Sequence, residues 1–86
     1  MPQITLQELG DIMREFQGRE VPGALDTSGL DVGFQDLGYD SLSVFMTTGR
    51  IQREYGVQLD RDRIAEAGTP RSLLSLVNHT LAGAAA

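Results

Sequence analysis

Cysteine and lysine are both missing from this chain of 86 residues. Without cysteine there is no disulfide framework, no Cys-rich zinc site and no thiol nucleophile, so the fold must stand on packing alone. Because all 7 basic residues are arginines, Schiff-base chemistry and a phosphate-loop lysine are excluded as well. Positive charge is scarce: 7 basic residues face 12 acids, for a net charge of -5. Such a surface repels a phosphate backbone or an anionic membrane, which argues against nucleic-acid and membrane partners and favours basic patches on other proteins. No apolar run approaches the ~20 residues of a membrane span. The opening "MPQITLQELGD" also lacks the basic and apolar segments of a secretory signal, so a cytoplasmic protein is expected.

What is present suits one small domain over residues 1–86, since 41% apolar content supports a modest single core. Leu6, Leu9, Met13 and Phe16 draw an apolar stripe down a first helix. Thr5 is its N-cap, Glu8 completes a capping box, and Gly18 ends it. From Gly18 to Asp40 glycine and scattered acids break any periodicity. This long first loop is expected to be ordered, anchored by Val21, Leu25, Leu30, Phe34 and Leu37, with a helical turn near Phe34.

A second helix is predicted from Ser41 to about Tyr55, with Asp40 as N-cap and Gly56 as its stop. Its expected inner stripe is Leu42, Phe45, Thr48 or Gly49, Ile51 or Gln52, and Tyr55. The run "MTTGR" has low helix propensity, a cost of roughly 2 kcal/mol relative to alanines, and Gly49 is expected to mark a close backbone approach. A short helix from about Arg61 to Ala67 follows, capped by Asp60, with Ile64 inward. Thr69 and Pro70 then start a last helix whose apolar face is Leu73, Leu74, Val77 and Leu81. The tail from about residue 82 is expected to fray. With no alternating run, the fold class is all-α: a small four-helix bundle of three longer helices and one short one, with a long first loop.

Several kinds of chemistry can be weighed on the residues. A serine nucleophile needs a base, and the single histidine, His79, stands on the last helix with no oxyanion motif near it, so a hydrolytic triad is disfavoured. In "DRDR" at 60–63 arginines alternate with acids and cancel a cation site; no metal is expected, and these charges read as a solvated face with local ion pairs. Ser41 is different. Asp-Ser at a helix start is ordinary capping chemistry, yet a hydroxyl there stands beside unpaired amides at the positive end of the helix dipole, which suits a phosphoester on its oxygen.

The stretch "DLGYDSL" at 36–42 closely resembles the attachment motif of acyl carrier proteins, whose Asp-Ser-Leu serine bears 4′-phosphopantetheine. "REYGVQLD" at 53–60 is similar to the end of the family's second helix and "TPRSLLSLVN" at 69–78 to the start of its last, and the length and helix order match throughout. The tyrosine of "GYDSL" and the "TPRxLLxxVN" pattern are most similar to the stand-alone carriers of bacterial aromatic polyketide synthases. The resemblance implies Ser41 as the attachment residue, flanked by Asp40 and Leu42, on a non-catalytic, monomeric carrier. A phosphopantetheinyl transferase would load it from coenzyme A. Ketosynthase/chain-length factor, malonyl transferase and ketoreductase or cyclase enzymes would be its partners. A thiol at the end of the arm would stand in for the missing cysteine.

A fatty-acid carrier, which typically has a more acidic second helix, and a helical adaptor without prosthetic group remain the alternatives. Arg71 and Asn78, seven residues apart on the last helix, are candidates for polar contacts to the ketones of a bound polyketide. Family members usually carry a glutamate five residues after the serine; here Met46 stands there, and residue 43 is a serine. Recognition is therefore expected to rest on the acids Asp31, Asp36 and Asp40 and on apolar contacts from Leu42, Val44 and Met46. The weak run Thr47, Thr48, Gly49 is expected to let the second helix open a cleft toward the last one.

Overall fold

A computed structural model describes residues 3–16 and 27–84, which form four helices with no strand among them. Helix α1 spans Leu6–Glu15, a 3-10 turn Thr27–Gly29, α2 Ser41–Tyr55, α3 Arg61–Glu66 and α4 Pro70–Ala84. The three longer helices and the one short helix match the expected bundle. Helix α4 continues through Ala84. Gly18, Val21 and Leu25, given roles above, lie outside the described residues.

Local capping chemistry sets each boundary. Thr5 accepts the Glu8 amide at 3.1 Å, and its hydroxyl donates to the Glu8 carboxylate at 3.2 Å, a variant of the capping box expected there. Helix α2 ends at Gly56, whose φ of 66° and ψ of 33° only glycine adopts without penalty; the Val57 amide then reaches back to the Gln52 carbonyl at 3.1 Å. At the α4 start the Thr69 hydroxyl accepts the Ser72 amide at 3.2 Å, while Ser72 Oγ accepts the Thr69 amide at 3.1 Å.

Apolar side chains from every helix share one core. Leu9 and Met13 meet Ile51, Leu73, Val77 and Leu81, all essentially buried, with Ile4 sealing one end and Phe34 and Tyr39 entering from the loop. Each aliphatic chain so buried contributes about 1.5–3 kcal/mol against exposure. Asn78 fastens the N-terminal segment to α4, its Oδ1 accepting the Ile4 amide at 2.7 Å and its Nδ2 donating to the Ile4 carbonyl at 3.0 Å. No helix among the described residues is long and apolar enough to cross a membrane.

The inner face of α2 differs from the expected stripe. Leu42 is 66% exposed and Phe45 46%, while Ser43, Val44, Thr47, Thr48 and Ile51 are buried. Hydroxyls are tolerated inside because Thr47 donates to the Ser43 carbonyl at 2.8 Å and Thr48 to the Phe45 carbonyl at 2.7 Å. Gly49 marks no close approach either: a Cβ built there meets nothing within 4 Å.

Candidate functional site

The loop before α2 is a tied structure that delivers Asp40 and Ser41 to a fixed place. The Phe34 amide donates to the Gly68 carbonyl at 2.9 Å, and the Arg71 amide to the Leu30 carbonyl at 3.0 Å, so backbone bonds join the loop to the α3–α4 connection. Around Phe34 the chain makes the expected turn, with the Leu37 amide bonded to the Gly33 and Phe34 carbonyls, each at 3.1 Å. Gly38 adopts a φ of 95°, a conformation that favours glycine, and the Tyr39 amide closes back on the Phe34 carbonyl at 2.9 Å.

Asp40 then caps α2. Its Oδ1 accepts the Ser43 amide at 2.7 Å, and that bond, with the Leu42 amide adding, holds the carboxyl below the usual aspartate range. With Asp40 as the cap, Ser41 is the first residue of the helix and is exposed. Ser41 stands at the rim of a cavity of about 510 Å³ between the start of α2, the turn at 33–40 and α3. Phe34, Val44, Phe45, Ile64 and Ala67 give it apolar walls, Asp36 and Asp40 lie on its rim, and the Arg61 guanidinium is 5.6 Å above the Phe45 ring centre. Tyr39 also belongs to the wall, edge-on to Phe34 at 6.3 Å between ring centres. Its hydroxyl is buried without a hydrogen-bond partner among the described residues, and that burial raises its pKa.

The expected site residues separate into groups. Ser41, Asp40, Asp36 and Val44 come together at the cavity, whereas Leu42 and Met46 are exposed on α2, Met46 by 43%. Val44, expected to face partners, is 8% exposed, because a 3.6-residue turn sets it with Thr47, Thr48 and Ile51 on the inner side. Arg71 and Asn78 do not line the cavity: Arg71 pairs with Asp31 at 2.7 Å, which lowers the Asp31 pKa, and Asn78 is occupied by Ile4. The cavity is lined from α2, the turn at 33–40 and α3, and α4 contributes none of its described lining residues. His79 is exposed and away from the cavity.

Phe34, Tyr39, Phe45, Arg61, Ile64 and Ala67, all of which line the cavity, received no site role in the sequence reading. Phe45 follows Ser41 by four positions and so shares its helix face, and Arg61 and Ile64 share a face of α3 by their three-residue spacing. That spacing was the available signal. The charges of "DRDR" make no local ion pair among the described residues; the pairs there are Arg50 with Glu15 and Glu54, and Arg71 with Asp31.

Comparison with known proteins agrees with this arrangement. Residues 7–77 match the family described as the phosphopantetheine attachment site. The oxytetracycline polyketide synthase acyl carrier protein of Streptomyces rimosus is 45% identical over 98% of this chain and 88% of its own length. An anthracycline acyl carrier protein of Streptomyces peucetius is 45% identical over 99% of this chain and all of its own. The solution structure of the oxytetracycline carrier superposes with a TM-score of 0.82 at 44% identity, covering 98% of this chain and 88% of that one. That of the acetyl actinorhodin carrier of Streptomyces coelicolor gives 0.81 at 37%, covering 94% of each. This chain belongs to the acyl carrier proteins of the phosphopantetheine-attachment family.

Proposed function

We propose that this protein is the carrier subunit of a polyketide synthase and that Ser41 Oγ is the atom to which 4′-phosphopantetheine is joined. The observation that carries the reading is an exposed serine, first in a capped helix, at the rim of an apolar cavity of about 510 Å³. The bound group supplies the thiol that the cysteine-free chain lacks, on which acyl chains ride as thioesters. The chain's own residues do the rest. Asp40 fixes where α2 begins and so the direction of Ser41, and the apolar walls from Phe34, Val44, Phe45, Ile64 and Ala67 exclude water from a chain lodged between them.

The protein needs no catalytic residue for this work. A phosphopantetheinyl transferase would modify Ser41 from coenzyme A, and ketosynthase/chain-length factor, malonyl transferase and ketoreductase or cyclase enzymes would be the cytoplasmic partners of a monomeric carrier. Exposed Leu42, Phe45 and Met46 offer those partners an apolar surface beside Asp36, in place of an acidic second helix. Slower ketosynthase transfer after charge reversal at Asp36, with none after Met46→Ala, would favour the charged rim over that apolar surface.

The decisive experiment is intact-mass measurement after incubation with coenzyme A and a broad-specificity transferase. The wild-type protein should gain about 340 Da, the mass of the phosphopantetheinyl group, and Ser41→Ala should gain nothing. An unchanged wild-type mass would return the chain to the adaptor reading.

A further inference from the structure

We propose that Arg61 is a positioning residue that binds the phosphodiester of the arm and holds it over the cavity mouth. The inference rests on Ser41 as the attachment point. Arg61 and Phe45 come from opposite walls, one from α3 and one from α2, and the guanidinium lies 5.6 Å above the ring centre. A cation held against an aromatic face keeps its N–H donors for another acceptor. Among the described residues no carboxylate takes them, since Arg61 makes no ion pair there.

The position of the Phe45 ring fixes what that acceptor would be. Phe45 follows Ser41 by one helical turn, which brings their Cβ atoms to about 5–6 Å apart on one face. A phosphodiester on Ser41 Oγ would therefore carry its negative charge next to the guanidinium. Among the described residues that line the cavity Arg61 is the one cation, and Asp36 and Asp40 stand on the same rim. Those two carboxylates repel a phosphate; Arg61 offsets them and draws it to the α3 side, so that the arm starts across the opening of the cavity. A guanidinium is suited to this task, because its planar fork matches two phosphate oxygens.

The test uses the holo protein, whose arm ends in a thiol and so has the phosphodiester as its only anion. Intact mass is checked first: no arm on Ser41 would defeat the attachment reading and leave Arg61 out of account. With the arm in place, the 31P resonance of the folded wild type should be displaced from its position in the urea-unfolded protein. That displacement should shrink in high salt. Arg61→Ala should lower the docked fraction by roughly 1.5- to 5-fold, as loss of one partly solvated ion pair predicts, and return the resonance toward the unfolded position. Arg61→Lys, which keeps the charge but not the fork, should recover part of it. Arg61 is exposed, so these variants should fold like the wild type, which circular dichroism checks. Identical 31P positions and linewidths in wild type and Arg61→Ala, or a lysine variant indistinguishable from the alanine one, would overturn the proposal.

Discussion

Asn78→Ala should destabilise the bundle by about 2 kcal/mol. The side chain satisfies both backbone groups of Ile4 at once, accepting its amide at 2.7 Å and donating to its carbonyl at 3.0 Å, across 74 residues of chain. Each net hydrogen bond contributes about 1 kcal/mol, and Ile4 is only 2% exposed, so water cannot fully replace them. For a domain of this size about 2 kcal/mol corresponds to a fall in Tm of roughly 8–16 °C, read by circular dichroism at 222 nm. Asn78→Asp sharpens the test. At neutral pH its carboxylate still accepts the Ile4 amide but sets a negative charge against the Ile4 carbonyl, so it should be no more stable than the alanine variant. Below about pH 4 the carboxyl protonates, regains a donor, and the aspartate variant should rise above the alanine one at the same pH. A Tm drop under about 3 °C for Asn78→Ala, less than 1 kcal/mol on the same scale, would refute the clamp.

Two further outcomes follow from the helix that carries Ser41. Gly49→Ala adds a Cβ where nothing lies within 4 Å, so it should stabilise α2 by about 0.5–1 kcal/mol; a lower chemical-denaturation midpoint would contradict the open space seen there. Asp40 and Asp31 both have pKa values below the ordinary range, so the folded state binds protons less readily than the unfolded chain. Their contribution is present above the unfolded value of about 3.9 and is lost as pH falls through the folded pKa values. Asp40→Asn keeps a capping oxygen without a titrating charge, so its Tm should fall less than the wild type's between pH 6 and pH 2.5. Parallel Tm curves for the two would remove Asp40 from the acid response.

Helix boundaries were legible because caps are local. Asp40, Gly56, Asp60, and Thr69 with Pro70 each mark an end through bonds or dihedral angles spanning three or four residues, and the structure uses every one of them. The place of Ser41 as first residue of a capped helix was legible for the same reason, since its neighbour Asp40 makes the cap. Facing was harder to read. Leu42 and Phe45 were assigned inward because they are apolar, but α2 buries Ser43, Thr47 and Thr48 instead, and nothing in residue type alone announces a hydroxyl bonded to its own helix. Arg71 and Asn78 do share the last helix as their spacing required. Their partners, Asp31 and Ile4, come from segments 40 and 74 residues away, and helical spacing carries no information about those. The Phe45–Arg61 contact across the cavity mouth has the same origin.

The buried threonines also bear on how the cavity wall can move. Thr47 and Thr48 donate within α2, so a displacement of the helix carries both donors and both acceptors along with it. The described side-chain hydrogen bond from this inner face to the α1 end, Ser43 Oγ to the Phe16 carbonyl, is already long at 3.4 Å. Sliding the inner face of α2 by an ångström exchanges dispersion contacts for others of the same kind. The polar ties it must adjust lie toward the C-terminal half of the helix, in the Arg50–Glu15 pair and the bond from the Leu59 amide to Gln52. The buried hydroxyls of the wall beside Ser41 are thus bonded within their own helix, so a small shift of α2 leaves those bonds intact.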